Sequence, residues 1–309
     1  MDIFLQQLIN GLVLGSVYAL IALGYTMVYG ILELINFAHG EVVMIGAMVT
    51  LAVVNMLMAS GVDLPGIMIV AAGLLVAIAV CMALGFAIER IAYRPLRKAP
   101  RLAPLITAIG VSIVLQNVAM IIWGRQYISF PPILPMTRHD IGGAGITDLQ
   151  IFIFVLALVL MAGLVLLVKK TRIGRAMRAT AQAPEIAGLM GVNVNAVISF
   201  TFILGSALAA VAGLMVSAYY GIAHYYMGFL LGLKAFTAAV LGGIGNIAGA
   251  MLGGLLLGVI ESMAAGYIGD ITGGFLGSHY QDVFAFFVLI GVLVFRPSGL
   301  LGERVAERA

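Results

Sequence analysis

A short polar stretch interrupts the apolar sequence near the N-terminus. Residues 34–43, LINFAHGEVV, place Asn36, His39 and Glu41 between two apolar runs. A charged group at mid-membrane is costly, so such side chains usually face a cavity or an interface. Gly40 can interrupt a helix here, and the freed backbone groups then need polar surroundings. The stretch predicts either a discontinuous helix that lines a translocation pathway or an interfacial turn with its acid at the membrane edge.

A second interruption lies in the C-terminal third of the chain. Gly242, Gly243, Gly245 and Asn246 form a glycine-rich break between a short and a full helix within 234–258. Broken helices occur both at transport pathways and at sites of close packing. Both roles are therefore open for these four residues.

Charged and small residues surround the second break. We interpret Lys234 and Glu261 as interfacial charges that extend toward the membrane surface. Gly245, Gly249 and Gly253 recur every four residues. This spacing gives a helix a smooth face that another backbone can approach closely, and it favours a packing role.

The sequence carries no recognisable catalytic signature. It has no G-x-S-x-G elbow, no H-E-x-x-H and no G-x-x-x-x-G-K-[ST] phosphate loop. A single cysteine, Cys81, excludes an intramolecular disulfide and a multi-cysteine zinc site. We expect the chain to be a non-enzyme that binds no metal or cofactor and cannot hydrolyse ATP by itself.

The composition shows what kind of elements position these residues. Of 309 residues, 63% are hydrophobic and 9% are charged, with a net charge of +3. Soluble domains are about 45–50% apolar and about 25% charged. The composition argues against a soluble enzyme, a nucleic-acid-binding protein and a disordered chain, and it points to the lipid bilayer as the surroundings.

Apolar runs long enough to cross a membrane recur along the chain. The first run, which lacks a basic leader, is interpreted as a retained span and not as a signal peptide. We predict an all-α polytopic membrane protein, one transmembrane domain over 1–309, with about eight spans and two short broken-helix pieces. The predicted spans are 5–30, 42–60, 66–89, 103–123, 149–168, 196–220, 247–268 and 280–296, and the short pieces are 31–41 and 230–241.

Basic residues concentrate in two segments. Residues 90–101 and 169–178 hold ten of the sixteen Lys and Arg side chains. The positive-inside rule places both segments in the cytoplasm, together with the C-terminus and its Arg296, Arg304 and Arg308. Counting spans backward from Arg90 places the N-terminus outside. The loops predicted outside are 61–65, 124–148 and 266–279.

The chain also resembles itself. Residues 13–31 are similar to 203–222, and both contain Leu-Gly-Ser, at 14–16 and 204–206. The charge count gives the two copies opposite directions, which is typical of transporters built from inverted repeats. We predict pseudo-repeats of about 1–125 and 149–300. The alternative is that any two membrane helices rich in glycine and alanine look alike.

The cytoplasmic loop 171–197 contains a candidate docking element. Pro184 suits the first position of a helix, Glu185 suits its positive end and Gly191 can cap its C-terminus. An exposed apolar surface flanked by charge suggests a partner, and the alternative is a helix lying on the membrane surface. The candidate docking residues are Ala183, Pro184, Glu185, Ile186, Gly188, Leu189, Met190 and Gly191.

Several long motifs occur in the order found in one known family. The chain resembles the membrane permease subunits of branched-chain amino-acid ABC importers, the LivH type. The residues that carry the resemblance are YALIALGYTMVYGILELINFAHGE at 18–41, IERIAYRPLR at 88–97, GRAMRATAQAPEIAGLMGVNV at 174–194, LKAFTAAVLGGIGNIAGAMLGGLLLG at 233–258 and FRPSGLLG at 295–302.

The resemblance implies a division of labour in a bacterial inner membrane. Such permeases pair with a second permease, or a second copy, and with two cytoplasmic subunits that bind ATP and Mg²⁺. A periplasmic solute-binding protein delivers the solute. The segment around 184–191 is then similar to the coupling helix that docks on an ATPase subunit. Related permeases carry urea or short amides, and a standalone channel or secondary carrier is a further alternative.

Overall fold

The computed structural model describes residues 2–302 except 62, 98, 101, 135, 274 and 276–279. The predicted cytoplasmic residues Arg304 and Arg308 lie outside the described residues. The helices, in chain order, are α1 (Asp2–Leu32), α2 (His39–Ala59), α3 (Gly66–Ala87), α4 (Leu102–Trp123), α5 (Asp148–Lys170), α6 (Arg172–Gln182), α7 (Pro184–Leu189), α8 (Val194–Tyr220), α9 (Met227–Gly242), α10 (Ile247–Ile271) and α11 (Gln281–Phe295).

The predicted all-α polytopic fold is confirmed. Among the described residues, seven helices are long and apolar enough to cross a membrane, namely α1 to α5, α8 and α10. Two shorter apolar helices follow: α9 is the predicted short piece at 230–241, and α11 lies where an eighth full span was predicted at 280–296. α3 continues into a π-helix, Ile88–Tyr93, and a 3₁₀ turn, Arg94–Leu96.

The predicted short piece at 31–41 is not a helix of its own. α1 runs to Leu32, and α2 begins at His39. Glu33 has φ 53°, a left-handed conformation that ends a right-handed helix. The break therefore lies at 33–38, before Gly40, which sits in the first turn of α2.

Two small pairs of strands join the helices. β1 (Ile128–Ser129) pairs antiparallel with β4 (Ile222–Ala223). β2 (Arg138–Ile141) pairs with β3 (Ala144–Thr147) across a two-residue turn at Gly142 and Gly143, whose φ angles are 59° and 88°. Two positive φ angles in succession are typical of the tight hairpin turn that glycine favours.

The chain divides into two compact units. The terminal unit consists of 1–26, 136–159 and 234–309, and the central unit consists of 27–135 and 160–233. In the central unit, α2, α3 and α8 pack against one another. The approach of α2 to α8 is close, because a Cβ on Gly46 would lie 2.6 Å from Cα of Ala210. Small residues thus let two backbones meet without a hydrophobic driving force between them.

The terminal unit uses the same device between α1 and α10. A Cβ on Gly11 would lie 2.7 Å from Cα of Val259, and one on Gly15 would lie 2.8 Å from Cα of Leu255. Gly15 belongs to the first Leu-Gly-Ser, at 14–16. This contact gives the glycine a packing role that no larger residue can fill.

Candidate functional site

The candidate docking segment forms the predicted short helix. α7 begins with Pro184 after an N-cap at Ala183, and Gly191 lies beyond its end with φ 87°. Ala187 is buried within the central unit. Leu189 and Met190 are 87% and 81% exposed.

Other docking candidates share this exposed surface. Glu185 and Ile186 are exposed, and a Cβ on Gly188 would meet nothing within 4 Å in the described structure. We call Ile186, Gly188, Leu189 and Met190 the docking surface. Exposed apolar side chains next to a charged segment are typical of a protein contact.

The first basic segment contacts the start of α8 at one end of the central unit. The guanidinium of Arg97 donates to Oδ1 of Asn195, at the start of α8, over 2.7 Å. Arg97 also forms an ion pair with Glu89 on the π-helix. Burial lowers the pKa of the Arg97 guanidinium, and the Glu89 carboxylate offsets part of that effect.

Glu89 is fully buried and hydrogen-bonded on both oxygens. Its Oε1 pairs with Arg97, and its Oε2 accepts a 2.6 Å hydrogen bond from the hydroxyl of Ser199 in α8. A buried charge is tolerated when it is paired and hydrogen-bonded in this way. Glu89, Arg97 and Ser199 were not among the predicted site residues, although a lone acid beside five basic residues at the end of a span was a usable signal.

Tyr93 connects this cluster to the first helix break. Its hydroxyl donates to Oδ1 of Asn36 over 2.9 Å, and its ring packs on Phe202 with centroids 5.4 Å apart. The backbone N–H of His39 in turn donates to the carbonyl of Asn36 over 2.9 Å. Asn36 and His39 are both buried, so these two predicted pathway residues line the interior of the central unit.

Glu41 is a buried carboxylate next to α4. Its Oε1 accepts hydrogen bonds from the Ser112 hydroxyl over 3.0 Å and from the Gln116 amide over 2.7 Å. Its Oε2 has no hydrogen-bond partner among the described residues and faces Gly228 of α9. Gly40, beside it, packs so closely on α9 that a Cβ would lie 2.7 Å from Cα of Gly232. Glu41 therefore offers one free acceptor inside the central unit.

The second break lies in the terminal unit, where a segment near the C-terminus hydrogen-bonds to it. Gly243 and Gly245 have φ angles of 109° and 92°. Asn246 caps α10 by accepting from the Gly249 N–H over 3.0 Å, and it donates to the carbonyl of Leu301 over 2.8 Å. Gly242 accepts a 2.9 Å hydrogen bond from the Leu301 N–H. These contacts favour a packing role for the four predicted pathway residues.

Lys234 and Glu261 are not interfacial, which corrects their interpretation from sequence. Nζ of Lys234 lies 2.6 Å from Oε1 of Glu261 and 2.8 Å from Oδ1 of Asp282. The hydroxyl of Tyr18 lies 3.3 Å from both Lys234 and Glu261. A buried carboxylate next to an ammonium is held by ion pairing, which replaces the lost water. Tyr18 and Asp282 carried no sequence signal, because four separate helices bring this group together.

Among the described residues, no group of three or more His, Cys, Asp or Glu side chains could hold a metal ion.

Comparison with known proteins gives the family. A family model described as branched-chain amino acid transport system / permease component matches residues 7–293. The chain belongs to this family. It is accordingly a membrane permease component of a transport system, as predicted from its motifs.

Individual relatives cover nearly the whole chain. The permease protein BraD of a high-affinity branched-chain amino acid transport system in Pseudomonas aeruginosa is 49% identical over 99% of this chain and 98% of its own length. LivH of Escherichia coli K12 is 46% identical over 99% and 97%. A probable LivH of Methanocaldococcus jannaschii is 30% identical over 97% and 94%. An autoinducer 2 import permease, LsrC of Yersinia enterocolitica, is 34% identical over 45% of this chain.

Proposed function

We propose that this chain is the transmembrane permease subunit of an ABC importer that carries branched-chain, hydrophobic amino acids across the bacterial inner membrane. The observation that carries the proposal is the full-length similarity to the permease proteins BraD and LivH. The match to the autoinducer 2 permease covers under half of the chain and gives weaker support for another solute.

ATP hydrolysis takes place on partner chains in this proposal. The partners are two cytoplasmic ATP-binding subunits that hold ATP and Mg²⁺, a second permease or a second copy of this chain, and a periplasmic solute-binding protein. The docking surface on α7 supports the contact with an ATP-binding subunit, because Leu189 and Met190 expose apolar area there.

The proposed orientation places the docking surface in the cytoplasm. Arg97, in the first basic segment, donates to Asn195 at the start of α8. The positive-inside rule assigns this end of the central unit to the cytoplasm. β1 and β4 lie at the other end of α8, close to Tyr127 and His224, whose rings stack with centroids 4.4 Å apart. Aromatic residues gather at membrane interfaces, which supports an outer boundary there.

The terminal unit supports the same orientation for the N-terminus. The side-chain amide of Gln6, at the start of α1, exchanges two hydrogen bonds with the backbone of Gly145, over 3.0 and 2.9 Å. Gly145 belongs to the loop 124–148, which the charge pattern places outside. The proposed orientation has the N-terminus outside and the C-terminus in the cytoplasm.

The packing of the helices supports the inverted repeat. α1 and α8 carry the two Leu-Gly-Ser motifs and are taken as equivalent helices of the two copies, and α2 and α10 are taken as a second equivalent pair. α1 packs on α10 in the terminal unit, and α8 packs on α2 in the central unit. Each Leu-Gly-Ser helix thus packs on a helix of the other copy, which supports an inverted repeat.

Solute uptake tests the proposal. Cells that lack their own branched-chain amino-acid importers receive this chain together with ATP-binding subunits and a solute-binding protein from the same organism. Uptake of labelled leucine that isoleucine and valine suppress, and urea and acetamide do not, is the expected result. Suppression by urea or acetamide alone would assign the permease to amides. Uptake by the purified chain in liposomes without ATP-binding subunits would contradict an ABC importer.

A further inference from the structure

The docking helix is tied rigidly to the start of α8. The N–H of Val192 donates to the carbonyl of Ala187 in α7 over 3.0 Å. Asn193 follows at once as the N-cap of α8, with its side chain accepting from the Ala196 N–H over 3.1 Å. With so short and well-capped a connection, a displacement of α7 displaces the first turn of α8.

The first turns of α8 are tied in turn to the π-helix that ends α3. Asn195 accepts from Arg97, Arg97 pairs with Glu89, and Ser199 donates to Glu89. Glu89 lies within the π-helix Ile88–Tyr93. The hydrogen bonds from Ser199 to Glu89 and from Arg97 to Asn195 cross from α8 to the segment that continues α3, so the start of α8 and the π-helix move together.

The π-helix is tied to the broken segment between α1 and α2. Tyr93, its last residue, is 1% exposed and donates to Asn36 at the centre of the break. π-helical turns are rare and are frequently found at functional sites. A continuous set of contacts therefore runs from α7 to the residues before α2, entirely within the central unit.

We propose that Arg97, Glu89, Tyr93 and Asn36 are positioning residues that transmit movement of α7 to the break at 33–38. This inference rests on the proposed function, because the movement comes from an ATP-binding subunit docked on α7. The four residues need not touch the solute. They fix the break in one of two arrangements according to the position of α7, which is what coupling between distant sites requires.

A labelling experiment tests the relay without knowledge of the solute. Ile35→Cys, in the break, is introduced with Cys81→Ser into the tagged chain, and the whole complex is isolated and reconstituted. The rate of maleimide labelling is measured with and without ATP and vanadate. Tyr93→Phe and Arg97→Gln are compared with Arg90→Gln, which removes an exposed arginine from the same π-helix.

The relay predicts an ATP-dependent change in labelling in the parent and in Arg90→Gln. In Tyr93→Phe that change falls about fivefold or more, the effect of one lost hydrogen bond. The ATP-binding subunits still co-purify and still hydrolyse ATP. The number of ATP molecules hydrolysed per solute molecule transported therefore rises. The double variant Tyr93→Phe/Arg97→Gln is no worse than the more severe single variant, because both interrupt one route.

Two results would overturn the relay. One is an unchanged ATP-dependent labelling in both Tyr93→Phe and Arg97→Gln, with the complexes intact. The other is a double variant in which the ATP-dependent change in labelling falls by the combined effect of the two single variants, as expected of two independent structural defects. Failure of the proposed function looks different, because no ATP-binding subunit would then co-purify with the parent chain.

Discussion

The ammonium nitrogen of Lys234 lies 2.6 Å from Oε1 of Glu261, with side chains 10% and 1% exposed. The pair joins α9 to α10, and Asp282 extends it to α11. Lys234→Met leaves the buried carboxylate of Glu261 and the half-buried carboxylate of Asp282 without their cation. We expect a loss of about 3–5 kcal/mol in the free energy of unfolding. Denaturation in detergent micelles measures this loss.

The matching control for this charge cluster is Lys170→Met, at the exposed end of α5. The triple variant Lys234→Met/Glu261→Gln/Asp282→Asn removes all three charges and should recover most of the stability. A triple variant as unstable as Lys234→Met would show that the contacts of the lysine stem, and not its charge, hold the helices.

Two glycine-to-alanine substitutions distinguish the effect of close helix packing from the effect of helix propensity. Gly15→Ala places a Cβ against the backbone of Leu255, so we expect the folded fraction after detergent extraction to drop. Gly163→Ala, in α5, meets nothing within 4 Å in the described structure and should stabilise by up to about 1 kcal/mol. Gel filtration with fluorescence detection compares the two. Equal behaviour would argue against the close approach of α1 and α10.

The docking helix offers a test at a position where a side chain has room. Gly188→Gln adds bulk to the docking surface without a clash, so the chain should insert and fold normally while its retention of ATP-binding subunits falls. Leu64→Glu, an exposed apolar residue in a loop predicted outside, is the control and should leave retention unchanged. Tagged-chain purification with quantitative mass spectrometry measures retention. Full retention by Gly188→Gln would mean that the ATP-binding subunits dock elsewhere.

We propose that the carboxylate of Glu41 binds the ammonium of an amino acid during transport. Glu41→Gln keeps the volume and the hydrogen bonds but removes the charge, and uptake should fall about tenfold or more, since a hydrogen bond to a charged group contributes about 1.5–3 kcal/mol. The loss should appear as a higher half-saturation concentration for uptake, measured with the binding protein in excess. Glu33→Gln, an exposed glutamate in the first break, is the control. Unchanged uptake by Glu41→Gln would remove Glu41 from the pathway.

Local sequence predicted the helices and the docking segment well. The apolar runs fix the spans, and Pro184 and Gly191 mark the limits of α7 through their own backbone preferences. The first break was predicted at Gly40 but lies at 33–38, because Glu33 adopts the left-handed conformation that glycine usually supplies. Gly40 is needed for close packing instead.

The polar networks could not be predicted because their members are far apart in the chain. Arg97 and Asn195 are separated by 98 residues, and Ser199 and Glu89 by 110. A charge near the end of a span has the same sequence signature whether it extends to the membrane surface or pairs inside the protein. Only the packing of α3 on α8 shows that Glu89 pairs inside the protein.

In the proposed function, this permease imports a hydrophobic amino acid only when ATP-binding subunits drive it. Uptake of labelled leucine tests this dependence in proteoliposomes that contain the complex purified through this chain, with binding protein outside and ATP inside. Leucine uptake should require both the binding protein and ATP, and it should disappear in Gly188→Gln. Leucine uptake of equal rate without ATP, or without the ATP-binding subunits, would show that the permease does not depend on them.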